Sequence, residues 1–332
     1  MNNKEFSDFI TLPRTFEKYR WYKPILVFII GLILMLIFQV VVEETFSGLF
    51  GEAFINNLIN GGYEVLNNPL AEFFSDLGVI IIIPALYIAS KIVKDRPFSS
   101  YISTSGKWNF KLYLKALVIP LVLFIIFSAI TAAITGPEGT FKLSLPYLIV
   151  IFVFLPLQCI AEEFAFRGLV MQTFGSWFKI PIVAIILQSV IFTIAHGYNT
   201  LGLIEIFISG LIFGFFTWKT NGLEVSSALH TANNFSVSLF VMLGIITPTS
   251  SPQLWETVAS IIFLILLAII MYYVGNKTGW YGEVQEQANS LFSKWIFIAF
   301  WIWSYGKQAV MLKLLLNGEL PFPSFFNVFE WI

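Results

Sequence analysis

The amino-acid sequence predicts an all-α fold, a polytopic membrane bundle of about eight transmembrane helices. Of the 332 residues, 57% are hydrophobic, 17% are aromatic and only 12% are charged, whereas a soluble domain carries roughly 25% charged residues. This composition excludes a soluble enzyme and a disordered chain and makes the lipid bilayer a partner. The net charge of −1 provides no basic field for nucleic acid. The single cysteine, Cys159, excludes an intrachain disulfide framework and a cysteine-based zinc cluster.

Eight stretches of the chain are long and apolar enough to be read as membrane spans, which need about 20 residues. They run over residues 24–42, 77–93, 112–134, 145–160, 180–195, 201–218, 223–243 and 257–274. Lysine and arginine are dense before the first stretch, absent from 43–76, and dense again after the second. Because basic residues stay on the cytoplasmic side, this alternation predicts that both termini are cytoplasmic.

Three regions follow from the positions of these stretches. Residues 1–144 hold three spans and their connections, residues 145–244 hold the polar interruptions and form the predicted catalytic core, and residues 245–332 hold the last span and a tail. A tryptophan-rich run at 295–303 is too short to cross the bilayer. We expect it to form a helix at the membrane interface.

Charged residues directly follow the fourth stretch and continue its helical pattern. A charge at the centre of a membrane helix costs roughly 2.5–3.5 kcal/mol on insertion scales, so it needs a partner, a water-filled cavity or a function. Glu163 and Arg167 are four residues apart and can pair on one helix face. Glu162 points about 100° away and is left for another role. An ordinary ion pair at a helix end is the competing interpretation.

The two histidines of the chain each lie in a polar interruption of a predicted span. His196 ends the fifth stretch, and His230 shares a helix face with Asn234 inside the seventh. A single histidine in an apolar helix is more often a structural group, but the joint placement of both favours a function. Counting helix rise places the three clusters at depths that differ by about 10 Å, so they can form one site.

The ordered motifs Glu162-Glu163-x-x-x-Arg167, Phe192-x-x-x-His196 and His230-x-x-x-Asn234 resemble the three-motif signature of the CPBP family. These are the CAAX-protease and bacteriocin-processing, or Abi, intramembrane proteases. The resemblance covers residues 145–243 and implies a helical bundle of about eight spans around a polar cavity. It further implies an intramembrane endopeptidase that acts on a membrane-associated peptide or protein. With a composition that leans to Phe, Ile, Asn and Lys, it favours a bacterial cell membrane as the location.

Peptide hydrolysis needs an activated water and stabilisation of the oxyanion. Glu162 is the predicted general base, because a carboxylate in a low-dielectric cavity is a strong proton acceptor. His196 is expected to orient the same water, and His230 and Asn234 to donate hydrogen bonds to the oxyanion. Arg167 is expected to neutralise Glu163 and fix the helix that presents Glu162. The glutamate mechanism proposed for the family matches these roles.

Alternatives stay open at this point. Glu162, His196 and His230 form a two-histidine, one-carboxylate set that zinc accepts, although the usual His-Glu-x-x-His helix of zinc proteases is absent. The cofactor is therefore either none or a divalent metal such as zinc. A non-catalytic scaffold or bacteriocin-immunity protein of the same fold, and a transporter with a proton relay, are the other functions. The sequence leaves the oligomeric state and the substrate undetermined.

Overall fold

The computed structural model describes residues 8–60, 66–136, 139, 141–247, 249 and 251–280. The expected interfacial helix at 295–303 lies outside these residues, and the division into three regions stays a prediction. The α-helices are α1 (Lys23–Phe50), α2 (Glu52–Asn60), α3 (Pro69–Ile80), α4 (Ile82–Val93), α5 (Phe110–Thr135), α6 (Leu145–Phe178), α7 (Pro181–Ile194), α8 (Thr200–Thr220), α9 (Glu224–Met242) and α10 (Leu254–Thr278).

The all-α membrane bundle is confirmed, but the expected number of spans is too high. Within the described residues, six helical segments are long and apolar enough to cross a membrane. They are α1, α3 with α4, α5, α6, α8 and α10. Helix α7 has 14 residues and is about 21 Å long, which is shorter than a hydrocarbon core of about 30 Å. Helix α9 has 19 residues but is too polar, since it carries serines, asparagines and a histidine.

The second span begins at Pro69, eight residues before the predicted start at Leu77. The side chain of Asn68 accepts a hydrogen bond from the backbone N–H of Leu70 at 2.8 Å and caps the helix. Pro69 then occupies the first turn, where a missing N–H costs nothing. The earlier start brings acidic residues, which the sequence placed in an outer connection, into a membrane helix.

Helix α6 has 34 residues and extends well past the predicted end at residue 160. Two π-helical stretches, Val150–Phe154 and Phe164–Met171, lie within it. Pro156 cannot donate a backbone hydrogen bond to Phe152, which accounts for the wider turn of the first stretch. The second stretch begins directly after Glu163. Wider turns of this kind are frequent at functional sites.

Helix α9 lies at the centre of the bundle, where it packs against α5, α8 and the Leu155–Glu163 part of α6. Most of its residues are buried, including its serines. The outer helices show the opposite pattern. On α5, aliphatic side chains at every fourth position are about half exposed, and they are Val118, Val122, Ile126 and Ile130. Apolar side chains outside and polar ones inside are what a bundle in lipid requires.

Candidate active site

Polar side chains from three helices meet at one cavity of about 360 Å³. Four of the predicted site residues line it: Glu162 on α6, His196 just after α7, and His230 and Asn234 on α9. The structure therefore brings the three sequence clusters together. Glu163 and Arg167 lie behind the cavity wall, and both are fully buried.

Glu163 is the centre of a buried hydrogen-bond network. Its Oε1 atom accepts a hydrogen bond from Arg167 Nη1 at 2.9 Å and one from His230 Nδ1 at 3.0 Å. The first contact is the pair that the i, i+4 spacing predicted. The second joins α6 to α9 across 67 residues of sequence. Since the carboxylate oxygen accepts, Nδ1 of His230 carries a proton, and Nε2 is the ring nitrogen left for the cavity.

Two phenylalanine rings complete the surroundings of Arg167. The guanidinium carbon lies 4.4 Å from the ring centre of Phe192 and 5.3 Å from that of Phe213. Its Nη2 also donates to the backbone carbonyl of Gly210 on α8, at 3.4 Å. Ring faces attract cations, and a charge-assisted hydrogen bond adds to this. Arg167 therefore connects α6, α7, α8 and, through Glu163, α9.

Glu162 is only 1% exposed, and its two oxygens have different environments. Oε1 accepts a short hydrogen bond from Nε2 of Gln158. Oε2 has no hydrogen-bond partner among the described residues and faces His230 Nε2 at 3.7 Å. That separation is too long for a direct hydrogen bond and suits a bridging water. One oxygen is thus fixed in position, and the other is available for chemistry.

His196 is held by the end of its own helix. Its Nδ1 lies 2.7 Å from the backbone carbonyl of Phe192, and the two rings are 4.6 Å apart. A carbonyl oxygen can only accept, so Nδ1 donates. In the neutral ring, Nε2 is then the acceptor, which agrees with the predicted role of orienting a water.

Sequence reasoning missed Gln158, which precedes Glu162 by four residues. Its Nε2 contacts Glu162, and its Oε1 accepts a hydrogen bond from Asn234 Nδ2 at 3.3 Å. Asn233 in turn donates to Asn234 Oδ1 at 2.9 Å. Hydrogen bonds between the side-chain amides of Asn233, Asn234 and Gln158 therefore link α9 to the Glu162 carboxylate on α6. The i, i+4 spacing to Glu162 was the available signal.

The residues predicted as alternative zinc ligands, Glu162, His196 and His230, all line this cavity. In the part of the chain that the structure describes, no three His, Cys, Asp or Glu side chains are grouped closely enough to hold a metal ion. Of the three, Glu162 and His230 approach each other, with Oε2 and Nε2 3.7 Å apart.

Part of the chain is similar to known proteins. Residues 143–236 match the family model of the Rce1-like proteins, described as type II CAAX prenyl endopeptidase Rce1-like. The matched segment contains all three motifs, from Glu162 to Asn234. The uncharacterized protein YyaK of Bacillus subtilis (strain 168) is 24% identical over 235 residues, which cover 63% of this chain and 78% of YyaK. No solved structure shows a significant match.

The fold is that of an integral membrane protein, and its residues 143–236 are similar to type II CAAX prenyl endopeptidases. The resemblance to CPBP proteases that the motifs indicated is therefore confirmed. At the level of the family, the match supports a peptidase activity.

Proposed function

We propose that this protein is an intramembrane endopeptidase in which Glu162 activates a water for attack on a peptide bond. The observation that carries the proposal is the asymmetry of the Glu162 carboxylate. Gln158 holds one oxygen, while the other is buried 3.7 Å from His230 Nε2 with no hydrogen-bond partner among the described residues. A buried carboxylate in this arrangement is oriented and has one oxygen available to take a proton.

The water is held at Glu162 Oε2 and oriented by the acceptor nitrogen of His196. In this arrangement Nε2–H of His230 donates to the oxygen of the same water, so that the two water protons are directed to Glu162 Oε2 and His196 Nε2. Glu162 takes one proton from this water, and the water oxygen forms a bond to the carbonyl carbon of the substrate. No protein atom is acylated, so the products form from one tetrahedral intermediate.

The oxyanion of that intermediate needs hydrogen-bond donors. Asn234 donates one N–H to Gln158, and its second N–H is directed to the oxyanion. His230 adds a donor through Nε2–H when both of its ring nitrogens carry protons. Glu162 then gives its proton to the amine nitrogen as the C–N bond breaks. No step depends on a metal.

The substrate class follows from where the site lies. The cavity opens among helices whose outer faces suit lipid, which favours a peptide or protein delivered by the membrane. The positive-inside pattern supports cytoplasmic termini, and the relative in Bacillus subtilis supports a bacterial cell membrane.

A comparison of secreted and membrane peptides tests this function. The strains are one that lacks the gene and the same strain complemented with wild type, Glu162→Gln or Glu205→Gln. Glu205 also lines the cavity but accepts a hydrogen bond from Ser260 of α10. Glu205→Gln is therefore a matched control, because it makes the same chemical change at another carboxylate of the cavity. We expect peptides missing from the deletion strain to return with wild type and Glu205→Gln only. Their return with inserted Glu162→Gln protein contradicts a proteolytic role for Glu162.

Gln158→Leu should lower kcat by roughly 10²-fold while KM changes little, because a misplaced Glu162 carboxylate costs about that much. The measurement is the kinetics of a peptide that the purified wild type cleaves. Gln39→Leu is the control, since Gln39 is a buried glutamine of α1 that does not line the cavity. An unchanged kcat in folded Gln158→Leu protein means that Gln158 does not position Glu162.

A further inference from the structure

The cavity has a second acidic group that the proposed reaction does not use. Glu72 and Asp76 are four residues apart on α3, so both side chains lie on the same helix face. Both line the same cavity as Glu162 and His230. They are almost completely buried, with 7% of Glu72 and 5% of Asp76 exposed.

No lysine, arginine or histidine among the described residues neutralises this pair. None of the ion pairs among the described residues involves Glu72 or Asp76, so no described lysine, arginine or histidine nitrogen lies within 4.0 Å of either carboxylate. Glu72 Oε1 accepts a hydrogen bond from Ser238 on α9 at 2.8 Å. Asp76 Oδ2 is buried in the cavity wall without a hydrogen-bond partner in the described part of the chain.

Two neighbouring carboxylates that both carry a charge inside a membrane bundle cost folding free energy unless a cation or hydrogen-bond donors compensate the charge. A metal ion is a poor candidate, since it needs more protein ligands than the described residues group together here. An organic cation needs only the two carboxylates, because an ammonium group or a guanidinium group donates several hydrogen bonds at once. The cavity volume of about 360 Å³ lies within the range of about 300–1,000 Å³ that holds small ligands.

We propose that Glu72 and Asp76 form a subsite for a positively charged group of a bound peptide, an ammonium or a guanidinium. This inference rests on the proposed function, because it places the charged group in the cavity where Glu162 acts. Helix α3 packs against the Leu155–Glu163 part of α6, which carries Glu162. A peptide cleaved at Glu162 therefore has a basic residue, or a free amino terminus, a short distance from the scissile bond.

Peptide binding tests the subsite independently of turnover. The protein is the full chain with Glu162→Gln, in nanodiscs of zwitterionic lipid. The probes are dye-labelled, N-acetylated nonapeptides of leucine and alanine with one lysine moved through each position. Each has a matched peptide with norleucine, which keeps the aliphatic chain and removes the charge. Non-acetylated norleucine peptides distinguish a free amino terminus from a side chain as the source of the cation.

We expect at least one cationic peptide to bind about tenfold more tightly than its neutral match, as expected for a charge paired in a desolvated site. Adding Glu72→Gln or Asp76→Asn should bring the ratio of the two Kd values to about one. Adding Glu205→Gln should leave it unchanged. Equal Kd values at every position overturn the subsite, and this comparison needs no further variant. Cleavage by wild type is measured separately, so a loss of the proposed function does not change the reading of the Kd ratio.

Discussion

Glu162→Gln is expected to lower kcat for peptide cleavage by about 10²–10⁴-fold, the usual contribution of a general base. Glutamine has nearly the same shape as glutamate and can still accept the hydrogen bond from Gln158. The substitution therefore removes the proton acceptor while the packing of a fully buried position is kept. The measurement is cleavage of an identified peptide by the purified protein, with kcat and KM determined separately.

The control for this prediction is Glu205→Gln, which changes another carboxylate of the same cavity. Its kcat should stay close to that of wild type, because Glu205 contacts Ser260 and not the reacting atoms. Activity should also persist after treatment with a chelator. If folded Glu162→Gln protein cleaves at nearly the wild-type rate, Glu162 is not the base. A loss of activity in chelator that added zinc restores would indicate a metal mechanism instead.

Arg167→Met is expected to destabilise the folded protein by about 3–5 kcal/mol, the usual cost of removing one partner of a buried ion pair. Arg167 and Glu163 are both 0% exposed, so the glutamate would lose its cationic partner at a position that water does not reach. The hydrogen bond from His230 to Glu163 is too little compensation for the lost guanidinium. Thermal unfolding of the purified protein in detergent measures the effect.

A double variant separates the charge from the packing. Arg167→Met with Glu163→Leu should be more stable than Arg167→Met alone, because no unpaired charge remains. Arg20→Met is the control, since Arg20 is exposed and a surface charge contributes little. A melting temperature of Arg167→Met equal to that of Arg20→Met would show that the buried pair does not hold the bundle together.

The fold class and most of the site could be predicted from local patterns. Composition and apolar runs identify a membrane bundle, and the four-residue spacing from Glu163 to Arg167 gives their ion pair. Counting helix rise along three separate helices brought Glu162, His196 and His230 to similar depths. These inferences need only the periodicity of one helix at a time.

Contacts between distant segments could not be predicted in this way. The hydrogen bond from His230 to Glu163 depends on how α9 packs against α6, and no residue spacing within either helix predicts it. The start of the second span depends on the cap at Asn68, which lies outside the apolar run. From the apolar run alone, Glu72 and Asp76 are predicted to lie in the connection between the first two spans, outside the membrane. Within the described residues, the count of eight spans was wrong because α7 is too short to cross the bilayer and α9 is too polar to face lipid.

The central claim is that Glu162 and the two histidines act on one water beneath the membrane surface. An experimental structure at about 2 Å resolution tests it most directly, since ordered waters are visible there. We predict a water within hydrogen-bond distance, about 3 Å, of Glu162 Oε2 and His230 Nε2, with His196 on the same cavity wall. A Glu162 carboxylate that points away from both imidazole rings, with protein atoms filling the space between them, would contradict the account.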